Sequence, residues 1–142
     1  MQVIRHQDRD SAGLVGLGAR VLLLAPQANE ALFRRIAGLG GRVDLEVELY
    51  SALDALINDP ADWDLFVMDC DAFGGLDAGR RAFAMLGLAA ERVPMILASA
   101  ECQTQVFPED RRAPILLRAP ATATSLRVAM EHALHNRLNF RF

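Results

Sequence analysis

Apolar residues occur along this chain in short blocks separated by polar, Gly- or Pro-bearing stretches, and the blocks are of two kinds. Arg20 to Ala25 (RVLLLA), Asp64 to Asp69 (DLFVMD), Val93 to Ala98 (VPMILA) and Pro114 to Arg118 (PILLR) are continuous runs too short for helices. Such runs read as strands buried on both faces. Arg42 to Leu49 differs, because Val43, Leu45, Val47 and Leu49 alternate with Asp44, Glu46 and Glu48. That period of two gives a strand with one polar face, near a sheet edge.

Between these blocks the spacing turns helical. Ala28 to Leu39 puts Leu32, Phe33, Ile36 and Leu39 on one face and stops at Gly40-Gly41. A helix from Ser51, with Asp54 in the capping-box position and Leu53, Leu56 and Ile57 inward, stops at Asp59-Pro60. After the turn Phe73-Gly74-Gly75, Asp77 caps a helix to about Leu88 with Phe83 and Leu86 inward, and Thr124 to Leu138 is amphipathic through Leu126, Ala129, Met130, Ala133 and Leu138. Glu101 to Ala113 carries Pro108 and dense charge, so only a short helix fits there. Strands alternating with helices predict an α/β sandwich: a five-stranded parallel sheet in the order 2-1-3-4-5 with helices on both faces, since parallel strands need crossovers.

The 142 residues fit one domain: a loose leader over 1–19, a folded domain over 20–138 and a short tail over 139–142. Composition then removes whole classes of chemistry. All 15 basic residues are Arg, so a Schiff-base lysine and a phosphate-loop lysine are excluded. The Gly13, Gly16, Gly18 cluster precedes the first strand, whereas a phosphate loop follows it. A net charge of −3 argues against nucleic acid and anionic lipid as partners. Charge is nonetheless segregated: Arg42 to Arg80 holds no intervening basic residue, and Arg111 to Phe142 has Glu131 as its lone acid. Cys70 and Cys102 make neither a disulfide framework nor a zinc site. His132 and His135, even with Glu131 or Glu101, read as helix-surface polarity before metal ligands. The polar start and the lack of any membrane-length apolar run predict a cytoplasmic protein.

In sheets of this kind sites lie at the carboxyl ends of the strands. Those ends present Ala25-Pro26, Leu49-Tyr50, Asp69-Cys70-Asp71, Ser99-Ala100-Glu101 and Arg118-Ala119-Pro120. DLFVMD ending in an acid, PMILASA ending in a hydroxyl thirty residues on, and ILLRAP before a helix together resemble the receiver domain of two-component response regulators, over about residues 20 to 138. The resemblance implies the flavodoxin-like three-layer fold. It also implies Asp69 as the phosphate-accepting carboxylate, the backbone carbonyl of Asp71 as a magnesium ligand, Ser99 as the hydroxyl on the phosphoryl oxygen, and Pro120 as the proline often joined through a cis peptide.

The departures matter as much. The family's two acids after the first strand are Ala25 and Pro26, its lysine before the proline is Ala119, and its aromatic switch residue is Leu116. Arg118 stands next to Ala119, but neighbouring strand residues point to opposite faces. Phosphoryl transfer works by positioning and by neutralising oxygen charge, and both cationic elements are missing. Asp69 is then read as an inherited carboxylate capping a nearby N–H, with Ser99 bonded to local backbone and Cys70 a small buried hydrophobe.

The expectation is an atypical receiver-like domain of a phosphorelay. It is not an enzyme, has no cofactor and binds magnesium at most weakly. It works by binding a protein, a histidine kinase or a downstream regulator, through its last strand, last helix and Arg-rich end, and is a possible homodimer. Two alternatives stand beside it: a working single-domain phosphoacceptor using Asp69, and a flavodoxin-like ligand-binding domain or enzyme.

Overall fold

A strand that is apolar at every position needs cover on both faces, and the fold supplies it. The computed structural model describes residues 14–110 and 112–141, with side chains through His135. In chain order the elements are β1 (Arg20–Leu24), α1 (Glu30–Gly38), β2 (Arg42–Glu46), α2 (Leu49–Asn58), β3 (Leu65–Asp69), α3 (Leu76–Leu86), a one-turn α4 (Ala89–Arg92), β4 (Met95–Ser99), β5 (Ile115–Arg118) and α5 (Ala123–Arg141). The five strands pair in parallel in the order β2-β1-β3-β4-β5, which is the flavodoxin-like arrangement.

Alternate residues of each inner strand enter different layers. Val21, Leu23, Leu65, Val67, Ile96, Ile115 and Leu117 pack with Leu32 and Ile36 of α1 and with Leu126, Ala129 and Met130 of α5. Leu22, Leu24, Phe66, Met68, Met95 and Leu97 pack with Leu53 and Leu56 of α2, Ala78, Ala82 and Leu86 of α3, and Trp63. β2 lies at the edge, as its alternation predicts, and its outer residues stay exposed or half-buried.

Several boundaries differ from the sequence reading, each for a local reason. β2 stops at Glu46 instead of Leu49, because Glu46 Oε1 accepts from the N–H groups of Val47 and Glu48 at 3.1 and 3.3 Å and turns the chain. α2 accordingly starts at Leu49, not Ser51, and its cap is the Glu48 carboxylate, which accepts from Ser51 N at 2.6 Å. The Glu48 carboxyl lies below its usual range, chiefly because it accepts that backbone hydrogen bond. α3 starts one residue before Asp77, and Gly87, at φ +57°, separates it from α4. α5 starts at Ala123, where Thr122 Oγ1 accepts from Ser125 N and Ser125 Oγ accepts from Thr122 N, both at 3.0 Å. Between β4 and β5 the described residues form no helix. Val106 instead makes a single antiparallel bridge to Leu116, with both hydrogen bonds at 2.9 Å.

The stretch expected as a loose leader divides. Residues 1–13 lie outside the described residues, but Leu14 to Ala19 are docked: Gly16 N donates to Leu39 O at 2.9 Å, Gly18 N to Gly40 O at 3.2 Å, and Val15 packs on the core. Gly40 closes this contact at φ +96°, where a Cβ would stand 2.7 and 2.9 Å from Leu17 Cα and N. Gly40→Ala is therefore expected to cost about 1 to 3 kcal/mol, read as a lower midpoint in urea unfolding with little change in slope.

Candidate functional site

Four segments meet at the carboxyl edge of the sheet. β1 is followed by buried Ala25 and half-buried Pro26, β3 ends in half-buried Asp69, β4 in buried Ser99, and β5 in exposed Arg118 followed by Ala119 and Pro120. The Ala119-Pro120 peptide is cis, as the resemblance implies.

Asp69 is held by a residue that the sequence reading missed. Asn29 is the cap of α1: its Oδ1 accepts from Leu32 N at 3.4 Å, while its Nδ2 donates to Asp69 Oδ2 at 2.9 Å. One amide thus fixes the helix start and the carboxylate together. Asp69 was expected to cap a backbone N–H, and its partner is instead this side chain. No ion pair reaches Asp69 among the described residues. The signal for Asn29 lay in its residue type, since Asn is a preferred N-cap just before an apolar helical face.

The backbone-capping part falls to Asp71, whose Oδ2 accepts from Ala100 N at 2.8 Å and whose Oδ1 accepts from Ser99 Oγ at 2.5 Å. Ser99 was expected to bond local backbone, and it does so once, accepting from Glu101 N at 3.1 Å. Its donor, however, goes to Asp71 from the neighbouring strand end. A fully buried hydroxyl used in both senses ties the loops after β3 and β4 into one unit.

Glu101 completes this group. Its Oε2 accepts from Leu76 N at 2.7 Å, so it supplies the cap that α3 lacks in its own sequence, and a carboxylate suits a helix N-terminus. Gly75 makes the approach possible: it sits at φ +94°, and a Cβ there would lie 2.5 Å from that same oxygen. Asp71 and the Glu101 Oε2 atom thus accept from N–H and hydroxyl donors of the loops they join. No group of three or more His, Cys, Asp or Glu side chains able to hold a metal occurs among the described residues.

The remaining candidates have structural partners. His132 Nε2 lies 2.6 Å from Pro108 O and its ring packs edge-on to Phe107 at 6.0 Å, fastening the β4–β5 connection to α5. Cys70 and Cys102 are both buried free thiols. Burial, then the nearby Asp71, pushes the Cys70 thiol up to about 12, and burial also raises Cys102. Since only the thiolate attacks, neither thiol is expected to react with iodoacetamide at pH 8 in the folded protein, and both are expected to react once it is unfolded, as read by intact mass.

No helix among the described residues is long and apolar enough to cross a membrane. No family model, curated protein or solved structure matches the chain.

Proposed function

We propose that this chain is an atypical receiver-like domain of a two-component system, with output by protein binding and weak or absent phosphorylation of Asp69. One observation carries this reading: the carboxylate at the end of β3 is held by the neutral Asn29 amide, while the strand ends carry Ala25, Pro26 and Ala119 where the resemblance sets two acids and a lysine. A phosphoryl group on Asp69 needs positive charge on its oxygens, and an amide supplies one N–H dipole in place of a cation.

Output through the β5 and α5 side is supported by what that side exposes. Val106 is 41% and Val128 42% exposed, beside exposed Arg118 and Arg127, so apolar contact and positive charge occur together. A histidine kinase or a downstream regulator with an acidic, partly apolar face is the partner class this favours.

The test is intact mass after incubation with acetyl phosphate and magnesium, set beside the affinity of Asp69→Asn for the partner that a pull-down recovers. Little phosphate and unchanged affinity are expected, since a surface set by the fold needs no phosphorylated state to populate it. Stoichiometric phosphate that is lost in Asp69→Asn would overturn the reading in favour of a working phosphoacceptor.

A further inference from the structure

The sheet has two edges, and among the described residues one of them is closed. At β5 the Leu116 N–H and C=O are both taken by Val106. At β2 the inward groups are identified by Arg42 N donating to Ala19 O at 2.7 Å and Glu46 O accepting from Ala25 N at 3.1 Å. The N–H and C=O of one strand residue point the same way, and the direction alternates, so Arg42, Asp44 and Glu46 face β1. Val43 and Leu45 therefore turn their backbone groups outward, where no strand pairs with them among the described residues. Beyond them the edge ends, because Glu46 Oε1 already occupies the N–H groups of Val47 and Glu48.

We infer that this edge pairs with β2 of a second copy of the chain, antiparallel about a two-fold axis at Asp44. In that register Val43 lies opposite Leu45 of the second copy, so both outward-facing residues of each strand make their hydrogen bonds at once. The neighbouring rungs put Arg42 opposite Glu46 of the other copy on both sides of the axis, and opposite charges on facing positions stabilise antiparallel pairs. The sequence RVDLE is thus its own complement when reversed, which favours a second copy over an unrelated peptide.

The one like-charge contact, Asp44 on the axis, is screened within each copy by Arg20, whose guanidinium lies 3.2 Å from the Asp44 carboxylate. The strand is also accessible: Leu45 and, just past the strand, Val47 are 37% and 54% exposed, and Leu45 with Phe33 of α1 lines a groove of about 290 Å³ along this flank. With the β5 edge blocked by its own loop, pairing closes at a dimer and cannot propagate into a filament.

The test uses charge reversal and needs no knowledge of function. In the unaltered chain, sedimentation velocity is expected to show a concentration-dependent monomer–dimer equilibrium. Arg42→Glu places two acids opposite each other on both rungs, and Glu46→Arg does the same with two arginines; each alone is expected to weaken the dimer about tenfold or more. Mixed together they restore opposite charges on both rungs that join positions 42 and 46, and the heterodimer is expected to regain the original affinity. Should a variant fail to fold, hydrogen exchange on the unaltered chain decides, since the Val43 and Leu45 amides are expected to gain protection as concentration rises. A monomer at every concentration, a dimer indifferent to both reversals, or amides whose exchange ignores concentration would each overturn the inference.

Discussion

Pro26→Asp combined with Ala119→Lys is expected, on the proposed reading, to raise phosphorylation of Asp69, with a gain in rate on the order of a hundredfold or more. Position 26 follows β1 and position 119 follows β5, and both are half-buried at the carboxyl edge, where the receiver resemblance sets an acid and a lysine around Asp69. Ala119 is held in place by its N–H, which donates to Ser99 O at 3.0 Å, so a lysine there starts from a fixed backbone beside the buried hydroxyl. An aspartate at position 26 adds an oxygen donor to those of Asp71 and Glu101, which already accept from Ser99, Ala100 and Leu76. Ala25 is left alone because it is fully buried in the α1 and α5 layer, where a carboxylate would be costly. Intact mass against time with acetyl phosphate and magnesium measures the gain, and adding Asp69→Asn is expected to abolish it. A folded double variant that takes no phosphate would show that positions 26 and 119 do not stand where the receiver resemblance puts them.

How far the sequence foretold this arrangement depended on the range of the interaction concerned. β1, β3 and β4 were legible because burial on both faces leaves a continuous apolar run, and such a run has few other readings. The helix starts were less so. Asn29 and Thr122 are ordinary capping types, yet each competes with nearby polar residues for the position, and Glu48 caps α2 although acids with longer side chains are uncommon there. Glu101 as the cap of α3 was not legible at all, because the contact joins residues 25 apart in sequence and exists only once β4 lies beside β3. The site divides on the same line. Asp69, Ser99 and Asp71 could be placed at strand ends from the pattern alone, whereas the bonds that commit them, to Asn29 and to each other, depend on how the loops fold over the edge.

Phe66→Ala is expected to cost about 3 to 5 kcal/mol, the range for deleting a buried aromatic side chain, against a total of about 5 to 15 kcal/mol for a domain. Phe66 is fully buried on the central strand, three residues before Asp69, in the layer beneath α2 and α3. Neighbours on that side include Leu97 and Cys70, and α3 is already drawn so close that a Cβ on Gly79 would stand 2.5 Å from Cys70 Sγ. A helix anchored at its start by Glu101 cannot readily settle into the space left behind, so most of the cavity persists. Asp69→Asn, by contrast, keeps the shape of the side chain and still offers an oxygen to the Asn29 amide, so its expected cost is about 1 kcal/mol or less. Urea unfolding of the two variants side by side measures the difference. The fold rests on the apolar layers, and the edge carboxylate is then open to a role other than stability. An Asp69→Asn loss as large as that of Phe66→Ala would mean that the charge itself holds the strand ends together, and the site would have to be read as structural.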